Sequence, residues 1–201
     1  MPLINNDKID IEEVSKYLLE LDALKRVNRR SYVPQTDRLE NSAEHSWHLA
    51  MACWSIAELC NLDVNLEKLL KLALVHDLGE IDAGDTFLYA DTRSQAHVQE
   101  RQGIERLMAQ PGNGIHDLVD IWDEQETGSS NEAQLLKVID RLLPFLLNIN
   151  TEGKTWRDHE VKRSQVAGMH AFIADIFPSL HKWISKQIEY ATQKGWLIED
   201  S

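Results

Sequence analysis

"ALVHDLGEIDAGD", Ala73 to Asp85, runs an apolar helical segment directly into a histidine and four acids, Asp77, Glu80, Asp82 and Asp85. Leu69, Ala73, His76 and Glu80 recur at steps of four, three and four, so on a helix His76 and Glu80 point where the apolar residues point. Asp77 lies one step round. Unpaired charge away from water is costly, so carboxylates at this density beside apolar residues call for a cation or a water-filled cleft.

The same intrusion recurs twice more. One apolar row reads His45, Leu49, Ala52, Ile56, Leu59, and another reads Ala133, Leu136, Asp140, Leu143. Any one of these polar residues, taken alone, reads as a hydrogen-bonded core residue. Taken together, two imidazoles and two carboxylates can share one divalent cation and leave positions open for water and substrate. Pro144 opposes the carbonyl of Asp140, four residues earlier, and is expected to kink or loosen the helix there.

Helical spacing continues elsewhere, as in Ile11, Val14, Leu18 and Leu21, and alternating strand patterns are nearly absent. Breaks fall at "NRRSYVPQTDRLEN", "NLDVN", "DAGDT", "PGNG", "TGSSN" and "NTEGK", which predicts about seven helices. Ser42 and Ser130 are the expected N-caps. Phe87 to Ser94 stays unassigned, and "IEDS" reads as a loose acidic tail. The expectation is an all-α chain forming one domain over 1–201, with its core at about 10–195.

A net charge of −12 excludes nucleic-acid polymers and acidic membranes as partners. A small anion remains possible, because Lys25, Arg26, Arg29, Arg30 and Arg38 cluster before the first histidine. Cys53 and Cys60, seven apart on one helix, lack disulfide geometry and read as small core residues in a reducing compartment. "MPLINNDKID" has no leader pattern, and no run is apolar for long enough to span a bilayer, so a cytoplasmic protein is expected. The six tryptophans suit either the core or a homodimer surface.

The order H…HD…D at His45, His76-Asp77 and Asp140 resembles the HD-domain superfamily of metal-dependent phosphohydrolases. The longer strings "RLENSAEHSWHLA", "HDLGEIDAGDT", "WDEQETGSSNEA" and "DRLLPFLLN" are similar to a bacterial branch related to 5′-deoxynucleotidases, from Leu18 to Trp156. The resemblance implies a helical HD-domain fold and a single divalent metal (Mn, Co, Fe, Mg or Zn). It also implies hydrolysis of a small phosphomonoester such as a nucleoside 5′-monophosphate. Matched residue by residue, His45, His76, Asp77 and Asp140 are the metal ligands it implies, and Glu80 and Asp85 the acids at the reaction centre. Arg30 matches a phosphate-contacting arginine. Where those relatives carry tryptophan next, this chain has Ser31, which implies weaker discrimination between deoxyribose and ribose.

The residues themselves permit the same chemistry. Glu80, one turn from His76, can orient or deprotonate a water. Asp85 can hold a substrate hydroxyl or assist the leaving group, or cap the next helix. Arg30 and Arg38 are candidate bidentate phosphate donors, while Lys25, Arg26 and Arg29 read as a solvated basic face. His48 lies either behind His45 or on the helix surface. Two rival readings remain. One is a di-iron HD-type oxygenase or phosphodiesterase using His97 and His116, both of which read as exposed helix residues. The other is a non-catalytic nucleotide-binding module.

Overall fold

Asn41 begins the helix that carries His45. Its side chain accepts from the backbone N–H of Glu44, and the Glu44 carboxylate accepts from the backbone N–H of Asn41, which closes a capping box. The computed structural model describes residues 9–90 and 93–200. Its helices are α1 (Ile11–Asp22), α2 (Ser42–Leu59), α3 (Leu66–Val75), α4 (Glu80–Ala83), α5 (Arg93–Ala109), α6 (Leu118–Thr127), α7 (Asn131–Asn150), α8 (Lys154–Asp158), α9 (Arg163–His170), α10 (Ile173–Ile176) and α11 (Pro178–Gln193). The fold is all-α. The expected helices divide further, because turns at His76–Gly79 and Ala171–Phe172 break runs that the apolar pattern alone joins.

Two short strands, β1 (Asn28–Tyr32) and β2 (Leu39–Asn41), form an antiparallel hairpin within the segment read as a break. Ser42 is not the cap of α2 but its first residue, since Asn41 already supplies the capping oxygen. Ser130 does cap α7, accepting from Ala133 N–H at 3.3 Å.

Helices α2, α3 and α7 enclose the main core, where Leu49, Cys53, Leu69, Ala73, Val138 and Ile139 are almost wholly buried. A second cluster, with Val75, Leu78, Ile104, Leu107 and Trp122, joins α3 to α5 and α6. Helix α3 therefore ends between two packed layers, which fixes the His76–Gly79 turn. Gly79 is needed there for close approach: a Cβ would meet the Glu100 carbonyl oxygen of α5 at 2.6 Å.

The inward row of α2 is His45, Leu49, Cys53 and Ala57; Leu59, expected inside, is 79% exposed. The true row advances by fours, so the expected one drifts off the buried face after Leu49. On α1 the buried residue is Tyr17, while Ile11 and Leu18 are exposed. Cys53 is buried and its thiol is pushed up to about 12 by burial, whereas Cys60 caps the end of α2 and is exposed. Nor is the C-terminal segment loose. Ile198 N–H donates to the Val161 carbonyl and Asp200 accepts from Ser164 N–H, leaving only Ser201 outside the described residues.

Candidate metal centre

His76 follows directly on α3, and its ring is oriented from behind. Nδ1 faces the Ala73 carbonyl oxygen at 2.8 Å; a carbonyl only accepts, so Nδ1 is the donor there and Nε2 is the ring nitrogen left to bind a metal. Trp122 donates from Nε1 to the His76 carbonyl at 3.2 Å, holding the backbone as well. Nε2 is buried and makes no hydrogen bond. It lies 3.1 Å from Asp77 Oδ1 and 4.0 Å from Asp140 Oδ1.

His45, from α2, brings Nε2 to 3.0 Å from the same Asp140 oxygen, and the two imidazole centroids are 5.3 Å apart. One ligand atom from each of His45, His76 and Asp140 lies within 4.8 Å of the others, a grouping that suits one metal ion. Behind His45, Nδ1 faces Glu40 Oε2 at 3.5 Å, the carboxylate support that ligating histidines commonly receive. A lone pair without a partner, aimed among carboxylate oxygens, is the donor chemistry that a divalent cation fits.

The electrostatics follow from crowding. Burial opposes ionisation of Asp77, yet His76 and Arg29 beside it hold its carboxyl down at about 2. Asp140 is likewise held well below the usual carboxylate range, against burial, by Arg141 and His45. Glu80 goes the other way: burial first, then the negative charge of Asp77, raises it well above that range. Ser42 Oγ donates to Glu80 Oε2 at 2.6 Å and fixes its orientation. Asp85 is raised, chiefly by burial.

These side chains open on one cavity of about 580 Å³, lined by His76, Asp77, Glu80, Asp85 and Asp140 among others. Arg30 lies on its wall, its main-chain carbonyl accepting from Thr155 Oγ1 at 2.8 Å. Arg38 does not join them. It is exposed, donates to Glu44 Oε2 at 2.8 Å, and borders a separate cavity with Trp47 and His48. A position immediately before β2, at the turn end of the hairpin, carries it away from the histidines. His48 is half-buried on that other side.

Arg29 corrects the expected solvated face. Its side chain is 12% exposed, and Nη1 donates to Asp77 Oδ2 at 2.7 Å, with Asp85 Oδ1 and Glu40 Oε2 each 3.8 Å from the guanidinium. Three carboxylates thus share one buried cation. The inner arginine of the hairpin is Arg29, while Arg30 is exposed and Ser31 is buried in β1. His97 lines the cavity but stacks on Trp122 at 4.9 Å and pairs with Glu126 at 3.1 Å; His116 is exposed in a turn rather than on a helix. Arg29, Glu40 and Ser42 were missed as site residues. No polar/apolar alternation in "NRRSY" marks Arg29; it is the burial pattern of β1, with Arg29 and Ser31 on its inner side, that singles it out.

An HD domain family model matches residues 21–181. The 5′-deoxynucleotidase HDDC2 of Danio rerio is 32% identical over 136 residues, 66% of either chain, so this chain spans just under two thirds of the length of that relative. The 5′-deoxynucleotidase YfbR of Salmonella typhi is 26% identical, covering 83% of this chain and 92% of its own. A crystal structure from Magnetospirillum magnetotacticum MS-1, described as a predicted metal-dependent phosphohydrolase, superimposes with a TM-score of 0.84 at 30% identity. That match covers 97% of this chain and 99% of the other. With its paired imidazoles, its His76-Asp77 turn and a family match over most of its length, this chain belongs to the HD-domain family.

Proposed function

We propose that this protein is a metal-dependent phosphomonoesterase that hydrolyses nucleoside 5′-monophosphates to nucleoside and phosphate. The observation that carries the reading is the buried, unpartnered Nε2 of His76 facing Asp77 and Asp140 in a cavity that also holds Glu80. The relatives named as 5′-deoxynucleotidases support the substrate class. His45, His76, Asp77 and Asp140 would hold one divalent ion. Such an ion lowers the pKa of water and neutralises a phosphate oxygen.

Glu80 is the proton acceptor in this reading. Its raised proton affinity makes it a stronger base than an ordinary carboxylate, and the Ser42 hydroxyl leaves the other carboxylate oxygen for water. As the water oxygen bonds to phosphorus, Glu80 takes its proton. The ester P–O bond breaks, Glu80 passes that proton to the departing sugar oxygen, and Asp85 would hold the resulting hydroxyl. Arg29 keeps Asp77 and Asp85 in place through the charge they share. Free Cys53 and Cys60 support a reducing, cytoplasmic setting, and no helix among the described residues is long and apolar enough to cross a membrane. Exposed Trp47, Met51 and Trp54, one stripe of α2, support a homodimer.

The test is phosphate release from a panel of nucleotides and sugar phosphates with Mn²⁺, Co²⁺ or Mg²⁺. Glu80→Gln is expected to bind metal like the parent and to lose turnover on the order of 10²-fold. Unchanged turnover would remove Glu80 from the mechanism, and no release from any monoester would leave a nucleotide-binding module.

Sugar selectivity is expected to be weak. Ser31 lines the cavity without the ring that would exclude a 2′-hydroxyl, so the ratio of kcat/KM for dAMP over AMP should stay well under the ~100-fold that pocket shape can provide. Ser31→Trp should raise it. A parent that already rejects AMP, unaltered by that substitution, would show that another residue reads the sugar.

A further inference from the structure

We propose that Arg141 is a substrate-binding residue that grips the phosphate group, a role that rests on the phosphomonoesterase reading above. Consecutive residues on a helix do not face each other, so Asp140 and Arg141 would ordinarily diverge. Here they meet. Arg141 Nη1 donates to Asp140 Oδ2 at 2.7 Å, and the side chain is 16% exposed. The guanidinium is folded back into the cavity it lines with His76 and Asp77, instead of extending into water as a surface arginine would.

The two oxygens of Asp140 are thereby divided. Oδ1 faces the imidazoles of His45 and His76, at 3.0 and 4.0 Å, and Oδ2 faces Arg141. Whatever group sits beside the metal face of Asp140 sits beside Arg141 as well. A guanidinium has five N–H donors, and Asp140 Oδ2 is its one side-chain acceptor among the described residues. Its backbone is anchored, because the Arg141 carbonyl faces His170 Nε2 at 3.2 Å. Lys137, one turn earlier on the same wall, stands over the Phe172 ring at 5.3 Å and adds a second cation toward the opening. A planar donor fork with spare N–H groups, beside a candidate metal ligand, is matched to two oxygens of a phosphate.

The rival role is neutralisation of Asp140 alone, and the two roles separate by what else is lost. In the Mn²⁺-loaded protein, the affinity for inorganic phosphate is measured by calorimetry, KM for dAMP by phosphate release, and Mn²⁺ affinity by titration. The parent, Arg141→Gln and Arg141→Lys are compared. Arg141→Gln is expected to weaken phosphate binding and raise KM by about tenfold or more, as loss of hydrogen bonds to a charged group does. Its Mn²⁺ affinity and its inhibition by deoxyadenosine should match the parent, and Arg141→Lys should recover part of the phosphate affinity. Unchanged phosphate affinity in Arg141→Gln, or a loss that merely follows an equal loss of Mn²⁺, overturns the proposal. A parent that hydrolyses dAMP while Arg141→Gln is unaffected sinks this role alone. A parent that neither binds phosphate nor hydrolyses any monoester sinks the phosphomonoesterase reading with it.

Discussion

His76→Ala should abolish the stabilisation that divalent metal gives this protein. A ligand at 100 times its Kd stabilises the folded state by about 2.7 kcal/mol, which in a domain of this size raises Tm by roughly 5–10 °C. The parent, melted with EDTA and then with Mn²⁺, is expected to show a shift of that order. His76→Ala should show none, and its phosphate release should fall below detection. The reason is geometric: Nε2 of His76 is buried and makes no hydrogen bond, its ring being fixed through Nδ1 on Ala73. Asp140→Asn should behave similarly, because Asp140 Oδ1 lies between both imidazoles. His48→Ala is the control, since that ring faces a different cavity. A full metal-dependent shift in His76→Ala would remove it from the ligand set. Elemental analysis giving two irons per chain would instead revive the di-iron reading.

How much of this centre could be read beforehand depended on whether a residue's surroundings were local. His45, His76 and Asp140 stood out because each interrupts an apolar row at helical spacing, and all three are drawn together by α2, α3 and α7 around the main core. Glu80 stood out for the same reason, one turn on from His76. Arg29 was illegible on those grounds. Its burial comes from a five-residue strand pairing across a turn, and its partners Glu40, Asp77 and Asp85 lie 11, 48 and 56 positions away. Periodicity reports which face of one element is apolar. It does not report which charges another element will bring to that face. Arg38 failed in the opposite sense: sequence proximity to Arg30 suggested a shared ligand, but the hairpin turn sends it to Glu44. Leu59 shows the limit on the apolar side: the buried face of α2 turns with its steps of four, by about 40° each, and so leaves the straighter row of mixed threes and fours before Leu59, the last residue of the helix.

Arg29→Met should be the most destabilising substitution in the site when metal is absent. It preserves much of the side-chain volume, so the change is chiefly electrostatic. Asp77, Asp85 and Glu40 would then remain buried without their shared cation, and breaking a buried pair by removing one partner costs about 3–5 kcal/mol. Urea unfolding at pH 7 in EDTA measures this. Arg29→Lys keeps the charge but not the fork that reaches three carboxylates, and should fall between the two. The cost should also depend on pH in a stated direction. Asp77 is held at about 2 partly by Arg29, so its folded-state value lies below its ordinary one. A group depressed in this way contributes stability above its ordinary pKa and loses it as pH falls toward the depressed value. The gap between parent and Arg29→Met should therefore be full at pH 7 and close between about pH 4 and 2, as Asp77 takes up its proton in both proteins. Mn²⁺ should narrow the gap at pH 7, because a divalent ion at His76 and Asp140 supplies part of the missing positive charge to Asp77. If Arg29→Met unfolds in EDTA within about 1 kcal/mol of the parent, these three carboxylates do not depend on Arg29, and its burial would have to be explained by shape alone.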